Sequence, residues 1–306
     1  MLSLSKHLYR FVAASLISYV VEMLRQAQHD VLLLTAHCSL LTAHCSLLML
    51  PTFPFAGRTY EYDPAAPLDI SLPLAPSPGQ VNCFWAESVQ FDTIRVGSFV
   101  GSVALGGSTN YQRIHVTPHG NGTHTECYGH ISPDPAITLN QCLRRFLFVA
   151  RVVSVAPLPQ PNGDLVVLLA DVLAALMSQP DRTLPEALVL RTLPNDPAKR
   201  HRQYSGTNPT YIEPALAGWL AENNVQHLLL DLPSVDREED AGQLLAHHAF
   251  WQYPARPRRE ATITELIFVP NVVEDGLYLL NIQITSLELD ASPSKPVLYR
   301  LSETPT

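Results

Sequence analysis

The chain has no Cys-x-x-Cys pair, no long basic run and no clean apolar stretch of bilayer length. Each absence removes a class of protein. Its five cysteines (Cys38, Cys45, Cys83, Cys127 and Cys142) are odd in number and scattered. They supply neither a disulfide framework nor a zinc ribbon, and they fit a reducing, cytoplasmic setting. No basic run is longer than Arg256-Pro-Arg-Arg259, within a formal charge of −8 from 28 acidic and 20 basic residues. Nucleic acid is therefore not an expected partner. Residues 31–50 are long enough to span a bilayer, but His37 and His44 interrupt them. Lys6 and Arg10 precede the apolar segment 11–21, as in a secretory leader, yet no small-x-small cleavage site follows. No membrane partner is expected on these grounds.

What remains is a chain with 46% apolar residues, ample for a buried core. Residues 1–50 stand apart. Leu-Thr-Ala-His-Cys-Ser-Leu occurs at 34–40 and again, unchanged, at 41–47, and Met49 follows. Such a tandem copy points to a repetitive extension outside the fold, with residues 51–306 forming the domain. Within that domain, strand-like runs at 144–157, 187–192, 227–231, 262–265 and 277–289 alternate with a helix-like segment at 212–223. A strand giving way to a helix is read at 165–175, with Asp171 as its cap. The alternation predicts an α/β fold. Residues 68–74 read as one further strand. Residues 195–209, with Lys199-Arg-His-Arg202, read as a solvated polar loop.

Four of the twelve histidines fall between His115 and His130: His115, His119, His124 and His130. Glu126 lies among them, and Gly120 and Gly122 loosen the backbone. Imidazole and carboxylate are the donors that borderline divalent metals take, and close spacing lets one loop supply several of them. The stretch reads as a metal site with a histidine alongside for proton transfer. The alternative is a polar glycine-rich loop whose histidines are solvated. Cys127 is either a soft ligand or small packing material.

The same stretch resembles the His-x-Gly-Thr-His-x-Asp-x-x-x-His motif of the cyclase family of metal-dependent hydrolases, which includes bacterial kynurenine formamidases. Gly122, Thr123, His124 and His130 match it, and Glu126 stands in the place of the aspartate. The family's first histidine falls on Gly120, with His119 one residue early. Three further blocks follow the family order. Leu68-Asp-Ile-Ser precedes a loop with Phe84 and Trp85 in the place of substrate-stacking aromatics, the other reading of the two rings being plain core. Ser-Val-Asp236 precedes a segment with His247 and His248. Glu265 and then Asp290-Ala-Ser-Pro293, in the place of the family's Asp-Gly-Ser-Pro turn, close the pattern.

The resemblance implies a single α/β domain with a mixed β-sheet or barrel core flanked by helices. It implies one or two divalent ions, zinc foremost and manganese next, held by His119, His124, Glu126, His247 and Glu265. Glu260 is a competitor for the last place. It implies His130 and His248 as catalytic residues and Phe84 and Trp85 as substrate-binding residues. The implied activity is hydrolysis of a small-molecule amide, such as N-formylkynurenine in tryptophan catabolism, by an arylformamidase-like homodimer or tetramer. Cyclic amides or lactones are alternative substrates, and a non-catalytic metal- or ligand-binding member of the same fold is the other alternative.

Overall fold

The computed structural model describes Leu16, residues 50–77 and residues 79–304. The expectations for the repeat and for the two apolar N-terminal segments lie outside the described residues. Pro51–Thr306 forms one compact unit. No helix among the described residues is long and apolar enough to cross a membrane.

Eight strands make the main sheet: β1 (Leu68–Asp69), β2 (His124–Glu126), β3 (Leu147–Val155), β4 (Ala187–Thr192), β5 (His227–Leu230), β6 (Thr262–Glu265), β7 (Gly276–Ile284) and β8 (Ala291–Arg300). Their order is β7-β3-β4-β5-β6-β2-β8-β1, and β7 also pairs with β8. The seven strands from β7 to β8 thus close into a mixed barrel, with β1 attached to β8. Strands β3 to β6 are mutually parallel, while β2 runs antiparallel to both β6 and β8. Every residue of β4, β5 and β6 is buried. Near-continuous apolar runs suit parallel strands covered on both faces, and Leu-Val-Leu in β4 and Leu-Leu-Leu in β5 are such runs.

Five helices matter here: α1 (Pro118–Asn121), α2 (Leu139–Cys142), α3 (Leu169–Ser178), α4 (Pro214–Glu222) and α5 (Leu245–Trp251). Helix α4 lies in the β4–β5 crossover and α5 in the β5–β6 crossover. Leu216, Ala217 and Leu220 of α4 and Ala246, Phe250 and Trp251 of α5 join the barrel strands in one continuous apolar core. The expected α/β architecture with a barrel core is the one observed.

Four local expectations change. The strand at 68–74 stops after Asp69, where Ser71 N turns back to Asp69 Oδ1 and Leu72 N to Thr123 Oγ1 instead of to a neighbouring strand. Ile70 and Leu72 stay buried there, held through Pro296 O and Thr123 Oγ1. Asp171 lies in the first turn of α3 and does not cap it; Glu213 Oε2 accepts the Leu169 N–H instead. Ala291–Pro293 is not a turn but the start of β8, where it gives β2 its second neighbour. Lys199 does not face solvent. It is 7% exposed, and Nζ donates to Thr192 O (2.6 Å), Thr192 Oγ1 (2.8 Å) and Asp231 Oδ2 (2.8 Å), joining the ends of β4 and β5. An ammonium amid apolar strands is tolerable only with such partners.

Candidate metal centre

Strand β2 sets the site. Successive side chains of a strand point to opposite faces, so His124 and Glu126 share one face and Thr125 takes the other. The β6 register puts Glu265 opposite His124. On the far face, Thr125 and Thr264 share a hydroxyl hydrogen bond of 2.8 Å, which locks that register. His124 and Glu126 have no exposure, and Glu265 almost none. His124 Nε2 lies 3.4 Å from Glu265 Oε2, while Glu265 Oε1 accepts the Val235 N–H at 3.0 Å.

Helix α5 brings His247 to the same face, with Nε2 at 3.1 Å from Glu126 Oε1. Asp236 fixes that ring. Its carboxylate accepts from Ala246 N (2.7 Å), His247 N (3.1 Å) and His247 Nδ1 (2.7 Å). Helix α1 brings His119, whose Nδ1 stands 3.1 Å from Glu126 Oε2 and whose Nε2 meets Asp290 Oδ2 at 2.9 Å. His130, in the turn after β2, places Nδ1 at 3.2 Å from the same Asp290 oxygen and 3.9 Å from Glu126 Oε2. Glu126 is therefore the centre of the cluster.

Three of these imidazoles share one arrangement. One ring nitrogen is held by an outer acceptor: Gly122 O for His124, Asp236 for His247 and Asp290 for His119. The other nitrogen turns inward to the carboxylates. Outer acceptors of this kind fix the tautomer and orientation of metal-ligating histidines. Two ligand sets have donor atoms within 4.8 Å of one another: His119, Glu126 and His130, and His124, Glu126 and Glu265. Glu126 is common to both, so it would take part in holding a cation at either set.

The fit to a cation is supported by what is unsatisfied. His124 Nε2 and Glu126 Oε2 are buried and make no well-aligned hydrogen bond among the described residues, although His119 Nδ1 stands 3.1 Å from the latter. An orphaned buried carboxylate oxygen costs several kcal/mol on the order of the desolvation penalty, and both atoms belong to residues that could hold a cation together with Glu265. Charge already responds to the crowding. Burial opposes protonation of His119, but Asp290 and Glu126 outweigh it and hold its pKa up at about 10. Burial likewise opposes, and Asp236 and Glu126 overcome, so that His247 also stands at about 10. Burial would raise Glu126, but His130, His119 and His247 drive it well below the usual carboxylate range. Hydrogen bonds from His119 and His130 hold Asp290 low as well. To hold a cation, these rings would have to give up protons.

Gly120, where the family motif has its first histidine, has no room for any side chain. A Cβ there would press into Ala86 Cβ and lie 3.1 Å from Cys83 O. His119, one residue earlier, reaches Glu126 instead. The Cys83 amide donates to Gly120 O at 3.0 Å, which seats the following loop on α1. That loop carries Phe84 and Trp85, both at positive φ, 37% and 66% exposed. Trp85 N donates to Ser205 Oγ at 2.8 Å. The two aromatics thus stand beside α1 with their rings open to solvent.

Other expected residues lie elsewhere. His248 is one step round α5 from His247; its Nδ1 pairs with Tyr253 O at 3.0 Å, and none of the described contacts joins it to Glu126. Glu260 is exposed on the loop after α5. Cys127 is buried in the apolar core. Asp236 and Asp290 were not among the expected site residues. Asp236 had a local signal, the Ser-Val-Asp turn before α5. Asp290 had none beyond its motif, because its partners His119 and His130 are 171 and 160 residues away.

The Cyclase family model matches residues 52–237. The chain belongs to the cyclase family. No curated protein matches it. Among solved structures, this cyclase-family chain is similar to a predicted metal-dependent hydrolase from Bacillus stearothermophilus, at 16% identity and a TM-score of 0.51, over 76% of this chain and 98% of that one. It is similar to a novel cyclase, at 16% identity and 0.58, over 78% and 89%. Isatin hydrolase A from Ralstonia solanacearum is similar at 10% identity and 0.56, over 89% and 98%. At these identities the likeness concerns the fold. The match to the family model holds His119, His124, Glu126, His130 and Asp236; His247, Glu265 and Asp290 lie C-terminal to it.

Proposed function

We propose that this cyclase-family protein is a metal-dependent hydrolase that cleaves an amide bond with activated water. The observation that carries the reading is the Glu126 cluster, where two buried donor atoms lack hydrogen-bond partners among the described residues and three histidines turn one nitrogen inward. His119, His124, Glu126, His247 and Glu265 would hold the ion or ions, zinc first and manganese second. Once bound there, a divalent ion supplies Lewis acidity, lowering the pKa of water towards ~7 and polarising a carbonyl. The other steps belong to side chains. His130 takes the proton of the attacking water and returns it to the departing amine, which a neutral imidazole can do near pH 7. Phe84 and Trp85 offer an exposed aromatic surface beside α1 for a planar substrate. His248, tied to Tyr253 O, supports the end of α5 rather than the chemistry.

An N-formyl aromatic amine such as N-formylkynurenine suits this arrangement, with formate as the second product. A cyclic aryl amide is the second reading, favoured by the isatin hydrolases among similar structures. Purified protein, stripped with chelator and reloaded with zinc or manganese, is to be assayed on N-formylkynurenine and on isatin. Metal-dependent turnover of one names the substrate class. Binding of metal with turnover of neither, nor of simple aryl lactones, would remove the hydrolase reading.

A further inference from the structure

We propose that Asp290 is a positioning residue that sets His119 and His130 together, fixing the tautomers with which one ring faces the metal position and the other moves the proton. The part concerning turnover rests on the hydrolase reading; the part concerning metal does not.

Both rings meet a single oxygen. Asp290 Oδ2 is 2.9 Å from His119 Nε2 and 3.2 Å from His130 Nδ1. A carboxylate only accepts, so each of these nitrogens carries the proton it donates. For His119 the remaining nitrogen is Nδ1, the one beside Glu126 Oε2. For His130 the remaining nitrogen is Nε2, left with a free lone pair in the neutral ring. One carboxylate thereby selects the Nε2–H tautomer of His119 and the Nδ1–H tautomer of His130. The two rings lie nearly stacked, with centroids 4.2 Å apart and planes inclined by 31°. Among the described residues, Asp290 is the only hydrogen-bond acceptor of His119 Nε2 and of His130 Nδ1.

The backbone makes Asp290 a fixed point. It immediately precedes β8, whose Ala291 lies opposite Glu126 in the ladder. Its carbonyl accepts the Cys127 N–H at 3.0 Å. Its carboxylate is thus held in register with the central glutamate. The turn that carries His130 closes down on it through Gly129: a Cβ at that position would lie 3.3 Å from Asp290 Cβ and would press into Ile137 O. The early placement of His119 makes the support needed, since its ring reaches Glu126 from a four-residue helix. Outer carboxylates on ligating histidines typically change metal affinity by ~10–100-fold.

The experiment uses the full chain with Asp290→Asn, His130→Ala and the double variant. Zinc affinity is read by competition with a chromogenic chelator, and turnover is read at saturating zinc on the substrate found for the wild type. Asp290→Asn should bind zinc ~10–100-fold more weakly while still reaching wild-type stoichiometry at high zinc. Its turnover should fall, and adding it to His130→Ala should lower turnover no further, because it acts through that ring. Unchanged zinc affinity, or additive losses of turnover, overturns the proposal. Sub-stoichiometric zinc at every concentration would make Asp290 a ligand and overturns it too. If the wild type hydrolyses no substrate, the hydrolase reading fails and the zinc measurement decides alone. If Asp290→Asn does not fold, imidazole nitrogen NMR of the zinc-loaded wild type decides: His130 protonated at Nδ1 with a bare Nε2 is expected, and the opposite tautomer refutes the assignment.

Discussion

Gly120→Ala is the smallest change that tests how the site is built. The added Cβ would overlap Ala86 Cβ and sit 3.1 Å from Cys83 O, and both belong to the loop that α1 supports. Neither neighbour is the far end of a flexible side chain, so backbone must move. Overpacking of this kind costs about 1–3 kcal/mol. For a domain of this size each kcal/mol lowers Tm by roughly 2–4 °C, so a fall of about 2–12 °C is expected by thermal unfolding. The same displacement shifts His119, adjacent in α1, away from Glu126, and zinc affinity should fall by at least ~10-fold, as when the support of a ligand is lost. Gly218→Ala is the control. Its Cβ would meet Ala249 Cβ at an ordinary 4.0 Å in the middle of α4. Alanine there should raise stability by about 0.4–1 kcal/mol and leave zinc binding alone. A Gly120→Ala protein with Tm within a degree of wild type and unchanged zinc affinity would refute the argument that space, rather than chance, placed the histidine at 119.

Three further outcomes are expected. Glu265→Gln should lower zinc content while Glu260→Gln leaves it near wild type, because only Glu265 is buried beside His124; the reverse pattern, read by metal analysis, would reassign the ligand. Lys199→Ala should cost about 3–5 kcal/mol, the usual loss when one member of a buried ion pair is removed, measured by urea unfolding; a loss under ~1 kcal/mol would mean that Asp231 finds water instead. Burial, with Arg145 and Arg258 nearby, pushes His227 down to about 3, so the folded protein keeps it neutral while the unfolded chain takes a proton near pH ~6.5. Its contribution to stability is therefore complete above ~6.5 and is lost as pH falls towards about 3. His227→Leu should flatten Tm against pH between ~6.5 and ~4 relative to wild type, and an unchanged slope would remove His227 from the acid response.

Features whose signals are local in the chain are legible without the fold. The apolar runs that became β3, β4 and β5 are legible because a parallel strand buried on both faces is apolar at nearly every position. His124 and Glu126 are legible as a pair because alternation along β2 puts them on one face, whatever that face meets. The cyclase resemblance followed from motifs in order, and it led correctly to the family and to an α/β barrel. The tertiary structure decided what depends on distant partners. Lys199 looked solvated because its neighbours in sequence are polar and basic, and only the ends of β4 and β5 supply the oxygens that let an ammonium be buried. The sequence placed His119 one residue out of register; the packing of Ala86 and Cys83 on Gly120 gives the steric reason. The resemblance separates His247, as ligand, from His248, as catalytic residue; the step of roughly 100° per residue around a helix turns His247 to Glu126 and His248 to Tyr253 O. Asp290 is the extreme case: strand register across the closed barrel, not any nearby residue, sets its carboxylate between two histidines.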